Sequence, residues 1–315
     1  MTKKPMIILS GPTAVGKTAL SIELAKKVNG CIISADSMQI YKYMDIGSAK
    51  IMPEEMQGVK HYLIDELLPE EEFNIVRFQS MAKAALDEIY ANGQIPIIAG
   101  GTGFYIQALL YDIDFNQQDA DEEYRNELEA YAIEFGNDAL HRKLKEIDPV
   151  SAEKIHANNV KRVIRALEYF KLTGKPISEH NEAESEKESP YNFAYFVLTD
   201  DRANLYQRIE KRVDIMMEQG LLDEVKKLKD MGYHRSMVSM QGLGYKEILD
   251  YLDNKCSLEE AVATIKLETR HFAKRQLTWF RREREVIWMD KSQFDYNEKV
   301  VLDEMCRILN AKGII

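Results

Sequence analysis

Gly11-Pro12-Thr13-Ala14-Val15-Gly16-Lys17-Thr18 decides the fold, because it matches the phosphate-binding pattern G-x-x-x-x-G-K-[ST] and has the flanks that the pattern requires. The apolar run Met6-Ile7-Ile8-Leu9 precedes it as a strand, and an amphipathic helix follows from Ala19 to Val28, closing at Asn29-Gly30. In such a unit the glycines let the backbone wrap a phosphate, and the helix N-terminus offers unpaired N–H groups and a positive dipole. Lys17 adds a point charge, and the Thr18 hydroxyl can ligate Mg2+. The bland alternative is a glycine turn with no ligand. The pattern leaves open which phosphorylated molecule lies in the loop.

Working outward, Cys31-Ile32-Ile33-Ser34 and Ile95-Pro96-Ile97-Ile98-Ala99 read as further parallel strands, with a helix-period stretch from Ile75 to Tyr90 between them. This alternation predicts an α/β fold, a P-loop parallel sheet flanked by helices with ligands at the carboxyl ends of the strands. Polar residues follow each strand there: the P-loop, then Asp36-Ser37-Met38-Gln39, then Gly100-Gly101-Thr102-Gly103. Asp36 is the acid read as ending a strand; Asp36-Ser37 can alternatively be a helix cap, and the glycine-rich run only a tight turn. From about residue 117 the pattern turns helical without strands, over 121–135, 138–147 and 159–172, which predicts an inserted all-helical domain. The acidic stretch 182–190 reads as a hinge or exposed loop, and Phe193 to Leu198 as a return to the sheet. The expected boundaries are 1–116 and 190–315 for a discontinuous catalytic core and 117–189 for the insertion.

With 315 residues and 45% hydrophobic content the chain can build a P-loop core and an insertion. No run is read as a signal peptide or a membrane span, so a cytoplasmic location and no membrane partner are expected. The three cysteines are far apart and form no C-x-x-C pair, which argues against a disulfide framework or a zinc site. A net charge of −10 argues against nucleic acid, but the distribution does not. Between Lys266 and Arg284 stand seven basic residues against two acidic ones, interleaved with His271, Phe272, Trp279 and Phe280. That mixture suits holding a backbone and stacking bases, or else is a solvated helix face.

Several segments together resemble one family, the tRNA dimethylallyltransferases or isopentenyltransferases, over nearly the whole chain. They are the P-loop, SADSMQIY (34–41), DIGSAK (45–50), HYLID (61–65), GGTGFY (100–105), KRVIRALE (161–168), GYKE (244–247) and TRHFAKRQLTWFR (269–281). Ser48, Phe104 and Gly242-Leu243 depart from the family's common threonine, leucine and Ala-Ile, and none of these removes a group assigned to chemistry. The resemblance implies transfer of a dimethylallyl group from dimethylallyl diphosphate to the exocyclic amine of the adenosine just 3′ of the anticodon in tRNA, releasing diphosphate.

In that reading residues 11–18 cradle the diphosphate, with Mg2+ at Thr18, while Lys17, Thr13 and Arg212 meet the charge that grows on the leaving group. Asp36 takes the proton of the adenine amine, and the target base is flipped into a pocket. The tRNA side is implied to be Asp36, Ser37, Met38 and Gln39, Thr102 and Arg125, then Lys161, Arg162, Val163, Ile164 and Arg165, and Gln241, Gly242, Leu243, Gly244, Tyr245 and Lys246. The inserted domain is expected to grip the anticodon stem, and a monomer is expected. Two readings compete: a P-loop kinase of small molecules or nucleotides using ATP, and a catalytically silent RNA-binding P-loop protein.

Overall fold

The computed structural model describes residues 3–115 and 121–315. The first apolar run is strand β1 (Lys4–Ser10), and helix α1 (Lys17–Val28) follows the P-loop. Next come β2 (Gly30–Ala35), the two-residue β3 (His61–Tyr62), α2 (Ile75–Ala91), β4 (Ile95–Gly100) and α3 (Gly103–Leu110). After the helical segment the chain forms β5 (Tyr191–Thr199). The described strands make one parallel sheet in the order β3-β2-β4-β1-β5-β6, where β6 is Val286–Asp290. Ile8 sits opposite Ile98 on one side and Tyr195 on the other. Every residue of β2 is buried, as expected where helices cover both faces and the strands become continuous apolar runs.

This order matters for function. Because β2, β4 and β1 are neighbours, the loops leaving their carboxyl ends are gathered at one edge. Below them Ile7, Leu9, Leu24, Ile97, Phe196 and Met305 pack in the main core.

Contacts divide the chain into two units, Met1–Asp112 with Ser189–Ile315, and Ile113–Glu188. The second holds α4 (Glu122–Phe135), α5 (Asn137–Ile147), α6 (Pro149–Lys154), α7 (Val160–Thr173) and α8 (Ile177–Glu186), around a core that includes Leu128, Leu140, Leu144, Val163 and Leu167. The expected junction at 116/117 lies outside the described residues. The first unit continues with α9 (Arg202–Glu218), α10 (Leu221–Asp230), α11 (Tyr245–Leu252), α12 (Leu258–Phe280) and α13 (Glu298–Ala311). A Ser257–Glu260 capping box opens α12, and Asn74 caps α2.

Three expectations need correction. The acidic stretch 182–190 is not a loop throughout, since α8 runs to Glu186. Its start is fixed by Asp148, which accepts from both the Ser178 amide (3.0 Å) and hydroxyl (2.7 Å), and the glutamates that look loop-like are good helix formers. Two strands escaped the apolar-run reading: β3 is too short to show a period, and β6 is an edge strand with Trp288 41% exposed, placed directly after the basic run. Finally, Asp36 is not the only strand-terminal acid. Asp200-Asp201 follows β5 beside β1, but Asp201 caps α9, and neither lines the cavity described next. Among the described residues no helix is long and apolar enough to cross a membrane.

Candidate active site

The P-loop takes its shape from positive-φ residues. Gly11 has φ 146°, and a Cβ there would lie 2.6 Å from the Leu198 carbonyl on β5, so only glycine lets the loop leave the sheet this closely. Gly16, at φ 102°, begins α1 and brings no side-chain cap, so the first-turn amides keep their capacity for an anion. The loop's carbonyls, by contrast, are occupied by cations. Lys17 Nζ donates to Gly11 O (3.0 Å) and Pro12 O (2.8 Å), and Arg208 Nε donates to Ala14 O (2.8 Å). Lys291, buried beside α13, reaches Val15 O (3.4 Å) and pairs with Glu298 (3.2 Å).

The three gathered loops enclose a cavity of about 100 Å3. Thr13, Lys17, Thr18, Asp36, Gln39 and Arg212 supply its polar lining, and Ile32, Ile51, Ile64 and Phe272 an apolar one. A second cavity, about 520 Å3, shares Lys17, Thr18 and Arg212 with the first and adds Arg208 and Lys211. Burial pushes Lys17 down to about 7; the Arg212 charge pushes the same way, and Asp36 partly opposes both. Burial likewise lowers Arg212, with Asp36 again opposing. Lys17, Arg212 and Asp36 therefore form one electrostatic group, two cations short of counter-charge facing one carboxylate. His61 also lines the cavity; burial lowers its pKa, and its Nδ1 lies 2.9 Å from Val59 O.

Asp36 sits in a turn in which its Oδ1 accepts from the Met38 amide (2.8 Å). Gln39 is held between the Ser34 hydroxyl (3.3 Å) and Ala49 O (3.3 Å). Residues 241–246 lie against this segment, since a Cβ on Gly242 would meet the end of Met38 at 2.5 Å. Within 241–246, Tyr245 is fully buried, its hydroxyl donating to Glu224 (2.8 Å) and accepting from the Ser48 amide (3.1 Å). Tyr245 is thus a strut rather than a surface contact, and Gly244 is buried beside it. Glu224 also accepts from the amides of Asp45, Ile46 and Gly47, and so fixes the loop that carries Ser48 to the cavity.

Three close approaches accompany the glycines at the end of β4 and just beyond it. Added Cβ atoms would lie 2.2 Å from Ala35 O at Gly100, 2.1 Å from Gln276 Nε2 at Gly101, and 2.1 Å from the Trp279 ring at Gly103. Thr102 stands at the N-cap of α3 without making a side-chain cap bond. Gln276 was not singled out in the sequence, although it lies inside the stretch 269–281, because an uncharged residue within an amphipathic helix carries no local signal. Arg208 and Lys291 were missed for a related reason: their partners are backbone carbonyls far away in the chain.

In the helical unit, Glu168 is fully buried and holds Arg125 (Nε 2.7 Å, Nη2 2.9 Å) and Arg165 (3.1 Å). Both arginines remain partly exposed, and together they depress the Glu168 carboxyl against the effect of burial. Lys161 and Arg162 are exposed in the first turn of α7, the end where the helix dipole disfavours cations, so their placement does not serve helix stability. Val163 and Ile164, by contrast, are 0% and 4% exposed in the unit's core, so their side chains offer no surface to RNA. The basic window is also reduced. Lys266 pairs with Asp214 (2.5 Å) and Arg270 with Glu210, both on α9, which leaves Lys274, Arg275, Arg281, Arg282 and Arg284 exposed, the last lying over the Tyr111 ring.

A family model described as IPP transferase matches residues 39–283. The chain belongs to this family. It is 62% identical over 313 residues to a tRNA dimethylallyltransferase of Lachnoclostridium phytofermentans, covering 99% of both chains. A second relative, the tRNA dimethylallyltransferase of Acetivibrio thermocellus, is 57% identical and covers 94% of this chain and 95% of its own. Among solved structures, the full-length tRNA isopentenylpyrophosphate transferase of Bacillus halodurans aligns with TM-score 0.73 and 48% identity, over 99% of this chain and 98% of that one. A eukaryotic dimethylallyltransferase acting on tRNA aligns with TM-score 0.80 and 31% identity, over 93% of this chain and 76% of its own.

Proposed function

We propose that this enzyme transfers a dimethylallyl group from dimethylallyl diphosphate to the exocyclic amine of the adenosine immediately 3′ of the anticodon in tRNA. The observation that carries the reading is the cavity in which Lys17, Thr13, Thr18 and Arg212 face Asp36. As the allylic C–O bond breaks, its electron pair goes to the diphosphate, and the loop amides, Lys17, Thr13 and Arg212 meet that charge. The adenine amine forms the new C–N bond, and its proton goes to Asp36. A diphosphate is shaped like the end of a nucleotide, so the loop serves without ATP hydrolysis, and the kinase alternative is not favoured.

Among the described residues no cluster of three or more acids, histidines or cysteines could hold a metal by itself. That suits Mg2+, which keeps waters and commonly takes one or two protein ligands together with substrate phosphates. Thr18, the first-turn hydroxyl that lines both cavities, would hold it against the diphosphate, and the bound ion would supply further positive charge to the leaving group.

On the RNA side, Asp36 to Gln39, Thr102 and Gln241 to Lys246 would receive the flipped base and its neighbours, with Gly244 and Tyr245 shaping the wall from behind. The helical unit, Ile113–Glu188, would meet the anticodon stem-loop backbone with Lys161, Arg162, Arg165 and Arg125. The reading includes action as a monomer, and tRNA as substrate supports a cytoplasmic location. The test incubates the protein with Mg2+, labelled dimethylallyl diphosphate and tRNA lacking the modification, with ATP in a parallel reaction. Label in the adenosine beside the anticodon supports the reading. ATP consumption with unlabelled tRNA overturns it.

A further inference from the structure

Gln276 lies on α12, 263 residues from the loop it touches, and is only 6% exposed. Its Oε1 accepts the Thr13 N–H at 2.8 Å, and its Nε2 donates to Gly101 O at 3.0 Å. The amide orientation is determined by these partners, because a flip would set Nε2 against an N–H and Oε1 against a carbonyl. One side chain therefore ties the loop after β1 to the loop after β4, and a Cβ on Gly101 would lie 2.1 Å from Gln276 Nε2 and displace the tie. The helix carrying it is also fastened to α9, the bearer of Arg212, through Lys266–Asp214 and Arg270–Glu210. Thr13 and Gln276 line the cavity together.

We propose that Gln276 is a positioning residue for the transfer reaction. It takes up the Thr13 amide and so orients the Thr13 hydroxyl toward the breaking C–O bond of the donor. The remaining loop amides and Lys17 are left to bind the diphosphate, so Gln276 governs turnover more than donor affinity. This rests on the proposed prenyl transfer. A glutamate would keep the acceptor for Thr13 but turn its second oxygen on the Gly101 carbonyl and add negative charge to an anion site. An asparagine would be one methylene too short to span both partners.

The test is a double-mutant cycle of Gln276→Ala and Thr13→Ala in the full chain, with kcat and KM measured separately for donor and tRNA. A misplacement of about 1 Å at a reacting group costs on the order of 100-fold, so Gln276→Ala should lower kcat ~10- to 100-fold, with both KM values within about threefold. In the Thr13→Ala background the same change should cost less than about threefold, because the group it orients is already gone. Full multiplicative losses, an unchanged kcat, or a loss confined to KM would overturn the proposal. A second readout needs no substrate: deuterium exchange at the Thr13 amide should be at least ~10-fold faster in Gln276→Ala, and unchanged exchange would refute the tie itself. Should the unaltered protein transfer no prenyl group, the reading of function falls while the exchange result still judges the tie.

Discussion

Lys17 offers the prediction that can be worked furthest from the structure. In the ligand-free protein its pKa is down to about 7, through burial and the neighbouring Arg212. A bound diphosphate supplies the missing counter-charge, which raises Lys17 back toward its ordinary range. Below pH 7 the lysine is already protonated, and binding takes up no proton. Above pH 7 each binding event must protonate it, so affinity should fall about tenfold per pH unit, roughly 100-fold (about 2.7 kcal/mol) by pH 9.

The assay is calorimetric titration with a non-reactive thiolodiphosphate analogue of the donor, at pH 6 to 9.5, in two buffers of different ionisation heat. Near pH 8 the uptake should be about 0.9 proton, and near pH 6 close to zero for this group. The last ionisation of the analogue itself, near 6 for an organic phosphate, is complete over the informative range. Lys17→Met should bind weakly and lose the slope above pH 7. A constant Kd between pH 7 and 9, or proton release, would refute the reasoning. The ligand-free protein should behave oppositely. The folded value of Lys17 lies below the unfolded one, so its ionisation opposes folding fully below pH 7, and the penalty fades as pH rises toward 10.5.

Asp36→Ala should reduce kcat by ~10²–10⁴ with tRNA affinity changed less than about threefold, measured by single-turnover transfer and filter binding. Arg212→Ala should lower kcat by ~10²–10³ at saturating donor, and unchanged turnover there would remove Arg212 from the leaving-group side. Glu168→Ala should destabilise the helical unit by about 1–3 kcal/mol in urea unfolding and weaken tRNA binding severalfold while donor binding holds, because Arg125 and Arg165 lose the group that fixes them. Gly100→Ala should cost about 3 kcal/mol or more of stability, since its Cβ would stand 2.2 Å from Ala35 O within the β2–β4 pairing; an unshifted urea midpoint would contradict the geometry.

The residues from Met6 to Thr18 announce their own structure, because the apolar run, the glycines and the Lys-Thr pair each act on the chain within a few residues. Asp36 was legible for the same reason, standing at the end of an apolar strand where parallel sheets place their ligands. The helix from Ile75 and the strands from Cys31 and Phe193 were equally local matters. The misread segments depend on distant partners. Residues 182–186 look like a loop until Asp148 holds Ser178 and starts the helix, and Val163, Ile164 and Tyr245 belong to matching motifs but point inward.

By itself, then, the sequence determined four strands of the sheet (β1, β2, β4 and β5), the phosphate loop, the strand-end acid and the family resemblance, since these follow from local periodicity, backbone freedom at glycine and residue types at short spacing. Only the tertiary structure decided that Lys17 is depressed to about 7, that Gln276 ties two loops together and that Lys266 and Arg270 are taken up by α9. The physical reason is that a buried polar group takes its protonation and its geometry from whatever packing brings against it, and no residue's neighbours in sequence specify that.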